Sequence, residues 1–417
     1  MKKQEKNMGN FPTGGYFEIP RLRFPEFTGV WENKRLGELL EFKNGINASK
    51  EQYGSGIKFI NVLDILSNDF ITYDNIVGKV NVDELIVEKF SVSYGDILFQ
   101  RSSETREEVG TANVYLDKNK NATFGGFVIR GKKIGEYNPV FFNKLLKTNS
   151  ARENITSKSG GSTRFNVGQE ILSSVNLYFP NLPEQDKIAS FLLFVDERIQ
   201  TQKKIIEQLE TLMKGVSYKL FNRKIRFKNN ELSEFPSWEN KKGNEVFSNI
   251  SNKNHNSDLP ILAITQEYGA IPRDLIDFQI SVTDKSVESY KVVEKGDFII
   301  SLRSFQGGIE YSEYKGICSP AYIILRNKIE VNSYFYKYYF KSESYIKQLN
   351  KKLEGIRDGK MISYAYFSDI NLPLPSLNEQ TKIVNFLSSI QEKIETEKQI
   401  LEKLELQKKF LLANLFV

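Results

Sequence analysis

The chain contains one fourteen-residue stretch twice, and this repeat constrains the fold more than any other feature of the sequence. FPNLPEQDKIASFL begins at Phe179, and LPSLNEQTKIVNFL begins at Leu374. Eight of the fourteen aligned positions are identical, and equivalent residues lie 195 positions apart. A spacing of this length indicates a domain-sized unit that occurs twice.

Downstream of each copy, core-spaced residues recur with steps of four and three. The first series is Ile188, Leu192, Val195, Ile199, Gln202, Ile206, Leu209, Met213, Val216 and Leu220, and the second is Ile383, Leu387, Ile390, Ile394, Glu397, Leu401, Leu404, Lys408, Leu411 and Leu415. Such a heptad seam is typical of a coiled coil. Each helix would be about 60 Å long, so we expect the two to pair with each other. Packing of each helix on its own globular domain stays open as the alternative.

Two local signals refine this helix prediction. Asn181 stands three residues before Glu184, and Ser376 stands three before Glu379, which fits a capping box at each helix start. Gln202 and Glu397 occupy the same phase near the two helix middles. We expect them to form a polar layer that fixes register.

The segments before the two helices also resemble each other. WENKRLGEL parallels WENKKGNEV, YGDILFQRS parallels KGDFIISLRS, and NPVFFNKLLKTNS lies roughly where NSYFYKYYFKSES lies in the second half. IKFINVLDI, GDILFQRS and GFVIRGKK are predicted strands of the first half, and LPILAIT, GDFIISLR and AYIILRN are those of the second. NPVFFNKLLKTNSARENI and SYFYKYYFKSESYIKQLNKK are predicted helices, so each globular part has an α+β character.

Composition excludes several classes of site. The one cysteine, Cys318, excludes an internal disulfide and a CxxC zinc site, and suits a reduced, cytoplasmic setting. The one histidine, His255, lies in a polar segment, and a two-histidine metal site cannot be built. No apolar run is long enough to span a membrane. A net charge of +6 is compatible with nucleic acid.

Motifs of catalysis are incomplete. NPVF at Asn138 and SPAY at Ser319 lack the second proline of the amino-methyltransferase motif. Asp297 with Glu313 and Lys315 could imitate a metal-dependent nuclease site, but the first half has no counterpart. No GxxxxGK(S/T) loop is present. The motifs therefore predict no catalytic site on this chain.

A globular region followed by a helix that begins with EQxKIxxFL, used twice, resembles the specificity subunit of type I restriction–modification systems. The resemblance covers nearly the whole chain. It implies an α+β fold in which two globular target recognition domains are separated by two long helices that form an antiparallel coiled coil, with pseudo-two-fold symmetry. The implied divisions are a disordered leader (1–16), the first target recognition domain (17–180), the first spacer helix (181–222), a linker (223–236), the second target recognition domain (237–375) and the second spacer helix (376–417).

The resemblance also implies a function without catalysis. Each target recognition domain would read one half of a bipartite target in double-stranded DNA, and the helices would dock modification subunits, two per chain. Adenine methylation, or cleavage by restriction subunits, would be carried out by these partners. No cofactor is expected on this chain, and S-adenosylmethionine, ATP and magnesium would be bound by partner subunits. The alternative is a two-headed coiled-coil adaptor that binds protein partners.

Candidate DNA contacts fall into five segments that are small, polar and basic. The first is a loop of Lys158, Ser159, Gly160, Gly161, Ser162, Thr163 and Arg164, similar to one that the family carries at this point. Its counterpart contains Gly355, Arg357, Asp358, Gly359 and Lys360. Strand-end residues Gln100, Arg101 and Ser102, with Ser301, Arg303, Ser304 and Gln306, form a second set, and Lys43 and Asn44 a third. Glycine lets a backbone approach phosphates, and arginine and glutamine are common base readers, although ordinary surface turns and strand ends have similar residues.

Overall fold

The computed structural model describes residues 19–255, 258–276, 287–351 and 362–417. The chain divides into two compact units. The first unit is Met1–Thr201 with Leu401–Val417, and the second unit is Gln202–Ile400. The predicted leader, residues 1–16, lies outside the described residues.

The strands of the first unit are β1 Glu32–Arg35, β2 Leu40–Asn44, β3 Tyr53–Ile60, β4 Lys79–Val80, β5 Ile97–Gln100, β6 Ser102–Ser103, β7 Ala112–Val114, β8 Thr123–Phe124, β9 Val128–Lys133, β10 Phe165–Asn166 and β11 Asn176–Phe179. Its helices are α1 Leu36–Leu39, α2 Val62–Ser67, α3 Glu84–Lys89, α4 Pro139–Leu145, α5 Asn149–Thr156 and α6 Gln169–Ser173, with a 3₁₀ turn at Lys50–Gln52. The first long helix, α7, spans Leu182–Phe221.

The strands of the second unit are β12 Glu239–Lys242, β13 Phe247–Ile250, β14 Leu262–Thr265, β15 Gly269–Pro272, β16 Lys291–Val293, β17 Phe298–Ile300, β18 Glu310–Tyr311, β19 Gly316–Cys318, β20 Ile323–Asn327 and β21 Asn371–Leu374. Its helices are α8 Gly243–Val246, α9 Ser304–Gly307, α10 Ser333–Phe340, α11 Glu343–Lys351 and α12 Tyr364–Ser368, with a 3₁₀ turn at Arg273–Leu275. The second long helix, α13, spans Leu377–Asn414.

Both units are built around the same antiparallel sheet. Its strand order is β2-β9-β5-β7 in the first unit and β13-β20-β17-β18 in the second. The central strands β5 and β17 consist of buried residues, because their apolar side chains are covered on both faces. The repeat seen in the sequence is therefore a repeat of one α/β fold, as predicted.

A two-stranded antiparallel ladder ties the start of each globular part to the strand before its long helix. β1 pairs with β11 in the register Glu32↔Phe179, and β12 pairs with β21 in the register Glu239↔Leu374. Trp31, directly before β1, is buried between Phe141 and Phe416. The WEN segments therefore repeat because each supplies the first strand of this ladder.

Two predicted elements differ in detail from the structure. IKFINVLDI contains a strand that ends at Ile60 and a helix, α2, that begins at Val62. The chain changes conformation there because Asp64 accepts a hydrogen bond from the Asn61 amide, in a capping box. The predicted aromatic helix is two helices, α10 and α11, and the Ser342 hydroxyl accepts from the Tyr345 amide at the start of the second.

The long helices pair within both units. Residues 182–201 share a buried cluster with residues 404–416 in the first unit, and residues 220–221 share one with residues 383–387 in the second. Also in the second unit, Gln202 contacts Glu397. Residue numbers therefore rise along one helix while they fall along the other, so the helices run antiparallel. No seam position of the two heptad series is exposed. Pairing of the helices is therefore confirmed, because only this arrangement covers both apolar seams.

The predicted polar layer forms. Gln202 Nε2 donates to the Glu397 carbonyl oxygen at 3.1 Å and also to the Glu397 carboxylate. Both side chains are buried, and Lys393 pairs with the same carboxylate one helical turn away. Polar groups buried in a helix seam need such partners, because a buried donor or acceptor without a hydrogen bond destabilises the folded state.

The repeated Glu-Gln pair anchors each long helix to the globular part of its own unit. Arg23 donates two hydrogen bonds of 2.7 Å to the Glu184 carboxylate, and Trp31 Nε1 donates to it at 3.3 Å. In the second unit Arg226 donates to Glu379 at 3.0 and 2.8 Å. Arg226 lies in the segment 223–236 that the sequence assigned to a linker. The Glu184 carboxylate raises the pKa of Arg23 through these hydrogen bonds.

The glutamine of the pair makes a second anchor. Gln185 Oε1 accepts from the Asn138 amide at 2.9 Å, and its Nε2 donates to the Pro180 carbonyl at 2.8 Å. Gln380 repeats both contacts, with the Asn332 amide and the proline carbonyl five residues before it. The fourteen-residue repeat is therefore explained by a helix that must be both paired and fixed to a sheet domain.

These contacts correct the capping-box prediction. Asn181 Oδ1 accepts from the Glu184 amide at 3.0 Å, and Ser376 Oγ accepts from the Glu379 amide at 3.4 Å, so the first half of each box is present. The glutamate side chains are instead directed to arginines. A bidentate arginine partner is stronger for a buried carboxylate than one neutral amide.

Candidate nucleic-acid interface

Three candidate segments of the first unit meet at one end of its central sheet. β2 and β5 both run antiparallel to β9, with Asn44 opposite Ile129 and Gln100 opposite Val128. The carboxyl ends of β2 and β5 therefore lie beside the start of β9. We call this region, made of residues 43–44, 100–102, 125–127 and 160–166, the sheet edge of the first unit.

Arg101 lies at the centre of the sheet edge. Its amide donates to the Phe127 carbonyl at 2.9 Å, and its carbonyl accepts from the Val167 amide at 3.0 Å. The guanidinium is exposed, and its Nη1 donates to the Gly126 carbonyl at 3.4 Å. The backbone is held on both sides while the charged group faces solvent, an arrangement suited to bidentate recognition.

The predicted glycine loop is a tight turn beside Arg101. Gly160 and Asn166 exchange two backbone hydrogen bonds of 3.1 and 2.8 Å, which close the turn. Gly161 has φ of +119°, and a Cβ there would lie 2.1 Å from the Arg164 carbonyl oxygen. Only glycine fits this position. Residues 160–164 are all exposed, so Ser162, Thr163 and the basic residue Arg164 are all accessible to solvent.

Other predicted residues of the first unit have partners inside the protein. Gln100 is buried and its Nε2 donates to the Ser102 carbonyl at 3.0 Å. Ser102, half-buried, pairs with Asn166 in the β6–β10 ladder. Lys158 Nζ donates to the Ser174 carbonyl at 2.8 Å. The Ser159 hydroxyl donates to the Thr156 carbonyl at 2.7 Å, so these side chains shape the region.

Lys43 belongs to a group of cations beside the sheet edge. Burial lowers the pKa of Lys43, and so do the positive charges of Lys89, Arg130 and Lys132. Its Nζ donates to the Lys89 carbonyl at 3.0 Å. Burial also lowers the pKa of Arg130, which lies directly across from Lys43 in the sheet. Like charges held this close favour a nearby anion, because an anion relieves their mutual repulsion. Asn44 is exposed at the end of the same strand.

The second unit divides its candidates in the same way. Ser301 and Ser304 are buried, and the Ser301 amide donates to the Ser304 hydroxyl oxygen at 2.8 Å, so they shape the turn before α9. Arg303 and Gln306 are exposed at this sheet end. The remaining candidates, Gly355, Arg357, Asp358, Gly359 and Lys360, lie outside the described residues.

The motifs that resemble catalytic sites have structural roles. Asn138 of NPVF is the N-cap of α4, where its side chain accepts from the amides of Val140 and Phe141. Asp297 is buried and accepts two hydrogen bonds of 2.7 Å from Arg326. Glu313 pairs with Lys337. Among the described residues, no group of three or more His, Cys, Asp and Glu side chains could hold a metal ion.

Two kinds of functional residue were missed by sequence reasoning. The anchoring arginines lie in RF dipeptides, Arg23-Phe24 and Arg226-Phe227, which repeat and could have been found. Phe24 packs edge-on against Phe191, and Phe227 packs against Phe386 in the same manner. Phe127, which is 67% exposed, belongs to no motif or repeat that would mark it in the sequence.

Comparison with known proteins identifies the family. The sequence profile described as "Type I restriction modification DNA specificity domain" matches residues 29–211 and 226–406. The chain belongs to this family of type I restriction–modification specificity subunits. Its two matches coincide with the repeat, and the family consists of components that are not themselves enzymes. The resemblance noted in the sequence is thus confirmed.

Similar curated proteins come from Methanocaldococcus jannaschii. The putative type I restriction enzyme MjaX specificity subunit is 27% identical over 401 residues, with 91% of each chain covered. The type I restriction enzyme MjaVIII specificity subunit is 26% identical, with 94% of this specificity subunit and 92% of the relative covered. Both alignments therefore extend over both repeats.

Solved structures show the same fold. The S subunit of a type I restriction–modification system from M. genitalium has a TM-score of 0.54 at 18% identity, covering 96% of this specificity subunit and 99% of that chain. A chain from a study described as "Structural basis underlying complex assembly and conformational transition of the type I R-M system" has a TM-score of 0.58 at 17% identity, covering 92% and 96%. Among the described residues, no helix is sufficiently long and apolar to cross a membrane.

Proposed function

We propose that this specificity subunit reads a bipartite target in double-stranded DNA, one half with each globular part. The observation that carries the proposal is the sheet edge, where three polar and basic segments distant in sequence come together around Arg101. The corresponding end of the second unit presents Arg303 and Gln306. Each edge would supply base readers and phosphate contacts for one half of the target.

The exposed and the buried candidates would have different roles. Arg101, with its backbone fixed and its guanidinium exposed, is suited to bidentate recognition of guanine. The turn around Gly161, with Arg164 and two hydroxyl groups, is suited to phosphate oxygens. The cations around Lys43 would add affinity that is independent of sequence.

Chemistry would be supplied by partners. In this proposal the paired long helices dock two modification subunits, and restriction subunits join the same assembly. S-adenosylmethionine, ATP and magnesium would be bound by those partners. The names of the M. jannaschii relatives, specificity subunits of type I restriction enzymes, support this arrangement. Native mass spectrometry of the assembled complex would count the subunits, and one modification subunit per chain would contradict the docking scheme.

Duplex binding by the full chain tests the DNA proposal. Removing a bidentate base contact costs about 1–3 kcal/mol, so Arg101→Ala should weaken binding about five- to 150-fold. Arg35→Ala is the matched control, because Arg35 is an exposed arginine on β1, outside the sheet edge. Affinity should also fall steeply with salt. Binding that is insensitive to salt, with equal losses in both variants, would contradict the proposal and favour a protein-binding adaptor.

Mapping methylated sequences in host DNA tests the two-part target. We expect a motif of two short halves with an unspecified gap. Exchange of residues 17–180 for those of another specificity subunit should change one half only. A motif that is continuous, or that changes on both sides, would refute the assignment of one half to each globular part.

A further inference from the structure

An apolar groove lies beside the sheet edge of the first unit. It encloses about 210 Å³ and is lined by side chains that include Tyr53, Asn61, Leu63 and Phe127. Phe127 is 67% exposed, Leu63 73% and Tyr53 49%. Several large apolar side chains exposed around one groove mark a binding surface, because scattered single ones are the norm elsewhere.

Backbone contacts order the turn that carries Phe127. The Gly125 amide donates to the Ile60 carbonyl at 2.9 Å, and the Phe127 carbonyl accepts from Arg101. A Cβ on Gly126 would lie 1.9 Å from Asn47 Oδ1. The turn is thus fixed by neighbours on more than one side. A residue whose backbone is already ordered loses less conformational entropy on binding.

The positive charges around Phe127 indicate what kind of molecule its ring contacts. The Arg101 guanidinium reaches the carbonyl of Gly126 at 3.4 Å, so a cation contacts the residue directly before Phe127. The sheet edge also carries Arg164 and the Lys43 group of cations. An apolar ring among cations fits a duplex, whose phosphates are anionic and whose base steps accept apolar wedges.

We propose that Phe127 is a wedge that inserts at one base step of the half-site read by the first unit. This inference rests on the proposed function. The ring would unstack that step and kink the duplex there, while the adjacent groove, bordered by Tyr53, receives the displaced base edge. Unstacking this step has a free-energy cost, which the additional contacts of the bent duplex offset.

The second unit offers an internal comparison. The two strands that follow GD align Phe99 with Ile300. Their partners across the sheet are Ile129 and Ile323, respectively. Two residues before these partners lie Phe127 in the first unit and Ala321 in the second, which are therefore equivalent positions. Ala321 is exposed but small. The distortion should therefore occur in one half of the target only.

The test is a fluorescence scan of the assembled complex on its mapped target. 2-Aminopurine replaces one base at a time, except the adenine that is methylated, because extrusion of that base by a modification subunit would also raise fluorescence. The native complex should give a several-fold rise at one step, in one half. Phe127→Ala should abolish the rise, and Phe127→Trp should retain it. Ile134→Ala is the matched control, because Ile134 is 57% exposed at the opposite end of β9.

The possible results distinguish failure of the wedge from failure of DNA reading. A rise that persists in Phe127→Ala, or bound duplex with no rise at any step, would overturn the wedge while leaving DNA reading intact. Failure of the native complex to bind the duplex would refute the proposed function itself. If Phe127→Ala left the fluorescence unchanged but impaired subunit assembly, the groove would be a protein docking site.

Discussion

The ion pair between Arg23 and Glu184 should be the most sensitive point of the first unit. Glu184 is 1% exposed and accepts two hydrogen bonds of 2.7 Å from Arg23. Arg23→Met removes two of the three side-chain hydrogen bonds that the buried Glu184 carboxylate accepts. The remaining one comes from Trp31 Nε1 at 3.3 Å. Breaking a buried pair from one side costs about 3–5 kcal/mol. We expect the first unit to lose about 3 kcal/mol of its free energy of unfolding, because Arg23 is partly exposed.

Tryptophan fluorescence can measure this loss in the first unit alone. The chain has two tryptophans, Trp31 in the first unit and Trp238 in the second. In a Trp238→Phe background, urea unfolding therefore reports on the first unit. With a denaturant slope of about 1–3 kcal/mol/M, the midpoint should fall by roughly 1–3 M. Lys120→Met is the control, because Lys120 pairs with Asp74 at the surface, where ion pairs contribute less than about 1 kcal/mol.

A double variant separates charge from packing. Arg23→Met with Glu184→Met replaces the pair by apolar side chains and should recover most of the loss, because no buried charge remains. A double variant as unstable as Arg23→Met would show that packing of the arginine, rather than its charge, holds the anchor. A single variant that loses less than about 1 kcal/mol would refute the reasoning altogether.

Three further outcomes are expected. Gly161→Ala should weaken duplex binding about ten-fold with little change in thermal midpoint, whereas Gly160→Ala should not, because a Cβ on Gly160 meets nothing within 4 Å; equal effects in a binding titration would contradict the strained turn. Burial raises the pKa of Cys318 to about 12, so a thiol reagent at pH 8 should modify it only as urea unfolds the second unit, and rapid labelling of the native chain would disprove this burial. Gln202→Leu with Glu397→Leu should raise the thermal midpoint but permit shifted helix registers, detected by disulfide trapping of introduced cysteine pairs; one register and unchanged stability would argue against the polar layer.

Much of the fold could be predicted because its signals are local and periodic. A heptad seam determines which face of a helix is buried whatever that face meets, and the seam positions from Ile188 to Leu220 are all covered. Strands such as 97–100 were predictable because a short apolar run bounded by Gly and Asp has few alternatives. The change from strand to helix after Ile60 was missed because apolar residues continue on both sides of it. The capping pair Asn61 and Asp64 was the one local signal of the helix start.

The candidate site was predictable only as a set of segments. Glycine and arginine indicated the turn at 160–164 and the strand end at Arg101, but nothing local shows that antiparallel pairing with β9 brings them together. Nor could sequence show that Gln100 and Ser301 face inward while Arg101 and Arg303 face outward, since neighbouring strand-end residues have the same chemistry.

The sequence by itself determined that one helix-and-sheet unit is used twice and that its helices must pair, because repetition and periodicity are properties of the chain. The tertiary structure alone decided the partners of Glu184 and Glu379, and the outward position of Phe127. Those outcomes depend on contacts between residues far apart in the chain, such as the 161 positions that separate Arg23 from Glu184. Which buried charge meets which partner is settled by packing, and packing is a property of the folded molecule.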